Sequence, residues 1–177
     1  MNRVFLVSEK TVKELACIND NVASAYILAA IQEAQDIKYQ SIVGPALLAR
    51  LKAIVEAEET DLPENAAYKV LLEQSKYYLS YQTVAELGPK VTFKIGNFGV
   101  AKSSDENLQA LDWDDVAAVQ AYWQAKADYY CIELQQFLLD NRTDFPELTA
   151  ARCRKIRSNL YSAASCGIFL GGARGKR

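Results

Sequence analysis

Over most of this chain the apolar positions recur three or four residues apart, the spacing that lines up side chains on one stripe of an α-helix. Residues 21–40 show it plainly: Ile27, Leu28, Ile31, Ala34 and Ile37 or Lys38 follow Asn21, whose side chain suits a helix cap. Ahead of them, residues 3–7 read as a short strand or extended arm. Ser8 has the hydroxyl to cap a first helix over residues 11–16. Gly44 is expected to end the second helix and Pro45 to open a third, since a first-turn proline lacks only an amide proton that would have gone unpaired. Leu47, Leu48, Leu51, Ile54 and Val55 form the buried side of that third helix. An acidic loop over residues 56–64 then leads into a long helix whose inward face holds Tyr68, Leu71, Leu72, Ser75, Tyr78, Leu79 and Ala85. Gly88-Pro89 is expected to stop it.

From residue 91 the period shortens to two. Val91, Phe93 and Ile95 alternate with Thr92 and Lys94; after Gly96-Asn97, Phe98 and Val100 alternate with Gly99 and Ala101. A Gly-Asn pair between alternating runs predicts a β-hairpin, because its tight turn needs positive φ. That turn would pair Ile95 with Phe98 and Phe93 with Val100. The polar stretch 103–111 reads as a loop. Asp112 then caps the longest helix, with Asp114 and Asp115 in a first turn whose dipole favours acids. Its packed side is expected to hold Val116, Val119 or Gln120, Trp123, Ala127, Tyr130, Cys131, Leu134, Phe137 and Leu138, to about residue 141. A last helix is expected from around residues 144–147 past Arg157 toward Ser162. The glycines after Ser165 are costly in a helix, so residues 167–177 read as an extended arm. The fold class is therefore mainly α: a bundle of about five to six helices with an inserted β-hairpin at about 91–102 and a C-terminal arm.

At 177 residues, half of them apolar, the chain can bury one substantial core, and residues 1–166 are expected to form a single domain. No run of about 18 apolar residues suggests a membrane span, and the apolar part of residues 1–9 is too short for a signal peptide. A soluble intracellular product with reduced thiols is expected, since Cys17, Cys131, Cys153 and Cys166 form no metal-ribbon or redox spacing. Histidine is absent, which removes the commonest general base and transition-metal ligand. The charge is uneven: residues 150–177 carry seven basic groups and no acid, whereas residues 1–149 carry 13 basic and 22 acidic groups, a net of −9. Such asymmetry points to a basic tail that meets an acidic surface or nucleic acid; the plainer reading is a solvated face.

The candidate chemistry is sparse. Asp112, Asp114 and Asp115, or Glu56, Glu58, Glu59 and Asp61, contain carboxylates for a hard cation, but caps and dipole partners explain the first set better and neither has calcium-loop spacing. The glycine-rich stretches lack the lysine and following helix of a phosphate loop. No catalytic, cofactor or metal residue is therefore assigned, and the protein is not expected to be an enzyme. Ten tyrosines and two tryptophans fall mainly at helical spacings, as core packing requires. Tyr77, Tyr81, Tyr122 and Tyr129 lie off those stripes and suit a subunit interface. In the terminal arm, Ile168, Phe169 and Leu170 precede Arg174, Lys176 and Arg177, a composition suited to a partner's groove or sheet edge; the alternative is a disordered tail. Arg152, Arg154, Lys155 and Arg157 form a possible basic stripe.

Several of these residues also carry a resemblance. Asn21-Val22, Ile31 to Gln35, the run Ile42-Val43-Gly44-Pro45-Ala46-Leu47-Leu48, Tyr68 to Leu72, Thr92 and Gly99-Val100, the helix from Trp113, and Cys166 to Gly172 together resemble the head-tail connector, or adaptor, proteins of tailed bacteriophages. The resemblance covers residues 5–172 and implies a structural virion protein, made in the host cytoplasm, whose copies, usually about twelve, form a homo-oligomeric ring at the head-tail junction. Such a ring docks on the portal protein, continues the DNA channel, and offers a platform to further tail or adaptor proteins. Packaged DNA would pass without sequence-specific binding, and no membrane or cofactor is involved. In that setting the arm, through Ile168, Phe169, Leu170, Arg174, Lys176 and Arg177, would reach the portal or a neighbouring subunit. The hairpin face of Phe93, Ile95, Phe98 and Val100 would lie between subunits or on its own helices. The long acidic loop and the extra C-terminal helix depart from the simplest members of that family. The rival reading is a helical nucleic-acid-binding module using Arg152, Arg154, Lys155 and Arg157 as a phosphate stripe.

Overall fold

The computed structural model describes residues 3–18, 21–96, 99–102 and 113–150. The described chain is mainly helical. Helix α1 spans Glu9–Ala16, α2 Ser24–Glu33, α3 Gln40–Val43, α4 Pro45–Glu56, α5 Ala66–Thr92, α6 Trp113–Asp140 and α7 Pro146–Ala150. A π-helical turn, Ala34–Tyr39, joins α2 to α3 without a break, so six continuous helices result among the described residues. The backbones of β1, Phe93–Gly96, and β2, Gly99–Lys102, pair antiparallel.

The local starts follow from side-chain chemistry. Ser8 accepts the Thr11 amide at 3.1 Å and opens α1, as its position before an amphipathic run predicts. Gly44 takes φ 83° and ψ 161°, a conformation open essentially to glycine alone, and lets Pro45 begin α4 directly after α3. By contrast, the second helix starts later than expected: α2 begins at Ser24, with Ala23 rather than Asn21 in the cap position.

α5 is the central element. It packs against α1, α2 and the π-turn as well as α6, with which it shares the longest contact. Its buried residues include Tyr68, Leu71, Leu72, Ser75, Tyr78, Leu79 and Ala85, all seven of the expected face. On α4, Leu47, Leu48, Leu51 and Ile54 are buried and Val55 is partly buried, as the pattern requires. The second helix departs from its expected stripe. Ile27, Ile31 and Ala34 are buried, but Ile37 is 63% exposed, while Gln35 and Tyr39 are enclosed. A π-turn takes up an extra residue within its ring, which rotates every later position around the helix axis. The apolar stripe therefore resumes at Tyr39, Ile42 and Val43.

Two further expectations are corrected. Gly88-Pro89 does not end α5, which runs through Pro89 to Thr92. The last turn is secured by other means: Thr92 Oγ1 donates to the Gly88 carbonyl at 2.9 Å, Lys90 pairs with Glu33 on α2, and Leu87 is buried. These contacts act against the roughly 3 kcal/mol that an internal proline costs a helix. The strand register also differs: Gly96 pairs with Gly99, Ile95 with Val100 and Phe93 with Lys102. Ile95 thus takes Val100 as its partner in place of the expected Phe98, and Phe93 takes Lys102 in place of Val100. Phe98 and the side chains of Phe93, Ile95 and Val100 lie outside the described residues.

Candidate interaction surface

The surface most capable of binding is built by α5 and α6, and its chemistry begins with aromatic residues on facing helices. Tyr77 stacks on Tyr130 with ring centroids 5.3 Å apart and planes 15° from parallel. Tyr130 stacks on Tyr81 at 5.4 Å, and Tyr81 on Trp123 at 6.0 Å. The four rings alternate between the helices as one column, so each stacking step ties α5 to α6. Such pairs are worth about 0.5–1.5 kcal/mol each beyond their buried area. Tyr129 and Tyr122 meet Tyr130 and Trp123 edge-on at 5.2 and 5.1 Å.

Lys126 closes one side of this column. Its ammonium lies 4.4 Å from the Tyr122 ring centroid, 4.6 Å from Trp123 and 5.5 Å from Tyr81. Ring faces attract cations, and the Tyr122 hydroxyl beside Nζ raises the lysine pKa, so the positive charge is held in place. Burial likewise pushes the Cys131 thiol up to about 11, leaving it without the thiolate character that reactivity requires. Beneath the column, Gln82 and Gln124 exchange reciprocal amide hydrogen bonds of 3.1 and 3.0 Å. Gln82 also donates to Glu86 at 3.0 Å and Gln124 to Asp128 at 2.8 Å. This pairing fixes how α5 and α6 slide against each other, because a shifted register would strand a buried amide.

α6 has a second apolar face. Its inner side buries Val116, Ala127, Leu134 and Leu138. On the opposite side Ala118, Ala121, Tyr122, Ala125, Tyr129, Ile132, Gln136 and Leu139 are all exposed and recur at helical spacing. Tyr122, Tyr129 and Ile132 are 57%, 59% and 61% exposed, and Gln136 is the lone polar group among those eight. A helix apolar on both sides is normally covered on both. Val119, expected on the packed side as an alternative to Gln120, is instead 46% exposed. It borders a groove of about 220 Å³ lined by Val84, Leu87, Val91, Val116 and Trp123 where α5 ends and α6 begins.

A larger cleft, of about 620 Å³, lies at the N-terminal segment. Gln35 grips the extended chain through its amide: Oε1 accepts from the Leu6 backbone at 2.8 Å and Nε2 donates to the Val4 carbonyl at 3.1 Å. Beside it, Lys52 donates to Asp36 at 2.8 Å; burial raises the Asp36 pKa, but Lys52 and Gln35 outweigh it and hold the carboxyl below its usual value. Elsewhere, Tyr68 donates to Glu147 at 2.9 Å and Phe145 is fully buried against Tyr68 and Phe137. These contacts tie the segment around α7 to α5 and α6, while α7 itself also packs on α4.

The expected site residues divide clearly. Tyr77, Tyr81, Tyr122 and Tyr129 are brought to one surface, with Tyr81 only partly exposed. Arg152, Arg154, Lys155, Arg157, Ile168, Phe169, Leu170, Arg174, Lys176 and Arg177 lie outside the described residues, as does Asp112. Asp114 and Asp115 occupy the first turn of α6, and among the described residues no three metal-ligating side chains cluster. No helix among them is long and apolar enough to cross a membrane. The expectations missed Gln82, Gln124, Ile132 and Leu139. For the last two a signal existed, since spacing from Tyr122 through Ala125, Tyr129, Ile132 and Gln136 to Leu139 continues a helical stripe.

Comparison with known proteins finds one match: residues 39–158 fit the model of a family of unknown function, DUF6712. No curated protein and no solved structure matches the chain.

Proposed function

The chain belongs to this DUF6712 family, and from that premise we propose that it is a structural subunit of a head-tail connector ring in a tailed bacteriophage. The observation that carries the reading is the exposed apolar face of α6, which a protein acting alone would have reason to keep polar. Ring subunits join through two different surfaces, each covering part of the next copy. The resemblance of residues 5–172 to connector proteins supplies the setting: a ring of about twelve copies beneath the portal, continuing the DNA channel and carrying tail components. An acidic body, net −9 over residues 1–149, suits a channel that lets DNA slide, since like charge repels it.

The rival reading, a nucleic-acid-binding module, gains little from the aromatic column. Both faces of Tyr81 and of Tyr130 are taken by neighbouring rings, whereas a base-stacking platform needs open faces. Light-scattering mass separates the readings. The purified chain, 19.7 kDa as a monomer, is measured alone at rising concentration and again with a portal ring. A multi-copy species is expected, at the latest with the portal. A mass of one subunit under both conditions, or tight duplex binding that weakens steeply with salt, would sink the connector reading.

A further inference from the structure

The outer face of α6 combines two properties that narrow its occupant. Tyr122, Tyr129, Ile132 and Leu139 are each 46–61% exposed. At about 200 Å² for a fully exposed large side chain, they offer roughly 450 Å² before the alanines are added, more than half of the ~800 Å² per partner of a stable interface. The stripe is also bordered by acid. Asp128 stands on one edge and Glu133 on the other; Asp114 and Asp115 lie at its start and Asp140 at its end, and all five are exposed. Lys126 is the single base on α6, which gives the helix a net charge of −4, and its ammonium is engaged by Tyr122 and Trp123.

A second α6 packed on this face would set like charges against each other, at a cost in affinity. Most lysines of the described body, among them Lys38, Lys52, Lys69, Lys76 and Lys90, already pair with acids. The one strongly basic stretch of the sequence is residues 150–177, with seven positive charges, no acid and the apolar triplet Ile168-Phe169-Leu170. Basic and apolar together, it complements an apolar stripe framed by carboxylates. Its reach is ample: 27 residues extend up to about 90 Å, and a 28-residue helix measures about 42 Å. The chain enters this stretch from α7, which packs on α4 rather than along α6.

We infer that the outer face of α6 is the receptor for residues 151–177 of a neighbouring copy of this chain. The inference rests on the ring reading and names the contact that would close it, head to tail. The test uses full-length protein in two isotopic pools, one carrying the photo-cross-linker benzoylphenylalanine at Gln136, an exposed position within the stripe. The pools are mixed, the particle mass is measured and the sample is irradiated. Peptide mass spectrometry should find residue 136 joined to peptides from 151–177 of the other pool. Ile132→Glu, at an exposed site, should leave the circular dichroism spectrum unchanged and lower that yield at least about tenfold, as for a binding hot spot. High salt should lower it as well. Cross-links to another segment of the second copy, or none at all in a multi-copy particle, overturn this docking and leave the ring reading standing. Cross-links to 151–177 within one copy only show an arm folded back on its own helix and overturn it too. A particle that is never more than one subunit, even with the portal, overturns both.

Discussion

Among single residues, Gly44 carries the most conformational weight. Its φ of 83° with ψ of 161° permits α3 to end and α4 to begin across one residue, while the Leu48 amide still bonds to its carbonyl at 3.1 Å. A Cβ there would touch nothing within 4 Å, so the objection to a side chain is the backbone conformation itself. Gly44→Ala is expected to destabilise the fold by about 1–3 kcal/mol in urea unfolding, with no change in the m-value. A neutral result would mean that the junction adopts another backbone path. Gln35 and Tyr39 illustrate a different dependence. Both are buried only because the π-turn brings them inward, and each then needs a polar partner: the amide holds Val4 and Leu6, and the phenol bonds to Ser75 at 2.7 Å.

At the level of elements, the pairing of α5 with α6 is specified twice, by stacked rings and by the Gln82–Gln124 bonds. The two amides are not equivalent: Gln82 is 1% exposed, whereas Gln124 is partly exposed and keeps a bond to Asp128. Gln124→Leu leaves Gln82 short of a buried partner, so it is expected to cost about 1–3 kcal/mol. Gln82→Leu leaves Gln124 able to turn to water and is expected to cost less. The double variant should be more stable than the sum of the two losses implies, by about 1 kcal/mol, in a double-mutant cycle read by chemical denaturation. Strict additivity would show that the amides do not act as a pair. The continuation of α5 past Pro89 belongs here as well, since anchors from α2 and the helix's own Thr92 keep a turn that local propensity disfavours.

For the whole molecule, stability concentrates around α5, which touches α1, α2, the π-turn and α6. Amides of residues 71–84 are therefore expected to exchange with deuterium only through global unfolding, and those of the five-residue α7 through local opening. Mass spectrometry of exchanged peptides checks this; equal protection in the two regions would contradict a fold organised about one central helix. The same architecture leaves the far side of α6 to solvent, so that Tyr122, Tyr129, Ile132 and Leu139 stand exposed on the longest of the described helices.

The amino-acid sequence by itself determined the inward faces of α4 and α5, the Ser8 cap and the Gly44-Pro45 junction. Each of these depends on periodicity or on the chemistry of residues within a few positions of one another. It also marked Tyr77, Tyr81, Tyr122 and Tyr129 as surplus to the core. Only the tertiary structure decided the phase jump at Ala34–Tyr39, the passage of α5 through Pro89, the strand register and the Gln82–Gln124 bond. Those outcomes depend on which distant segment is available to satisfy a carbonyl, an amide or an apolar surface, and a linear pattern contains no term for a neighbour 42 residues away.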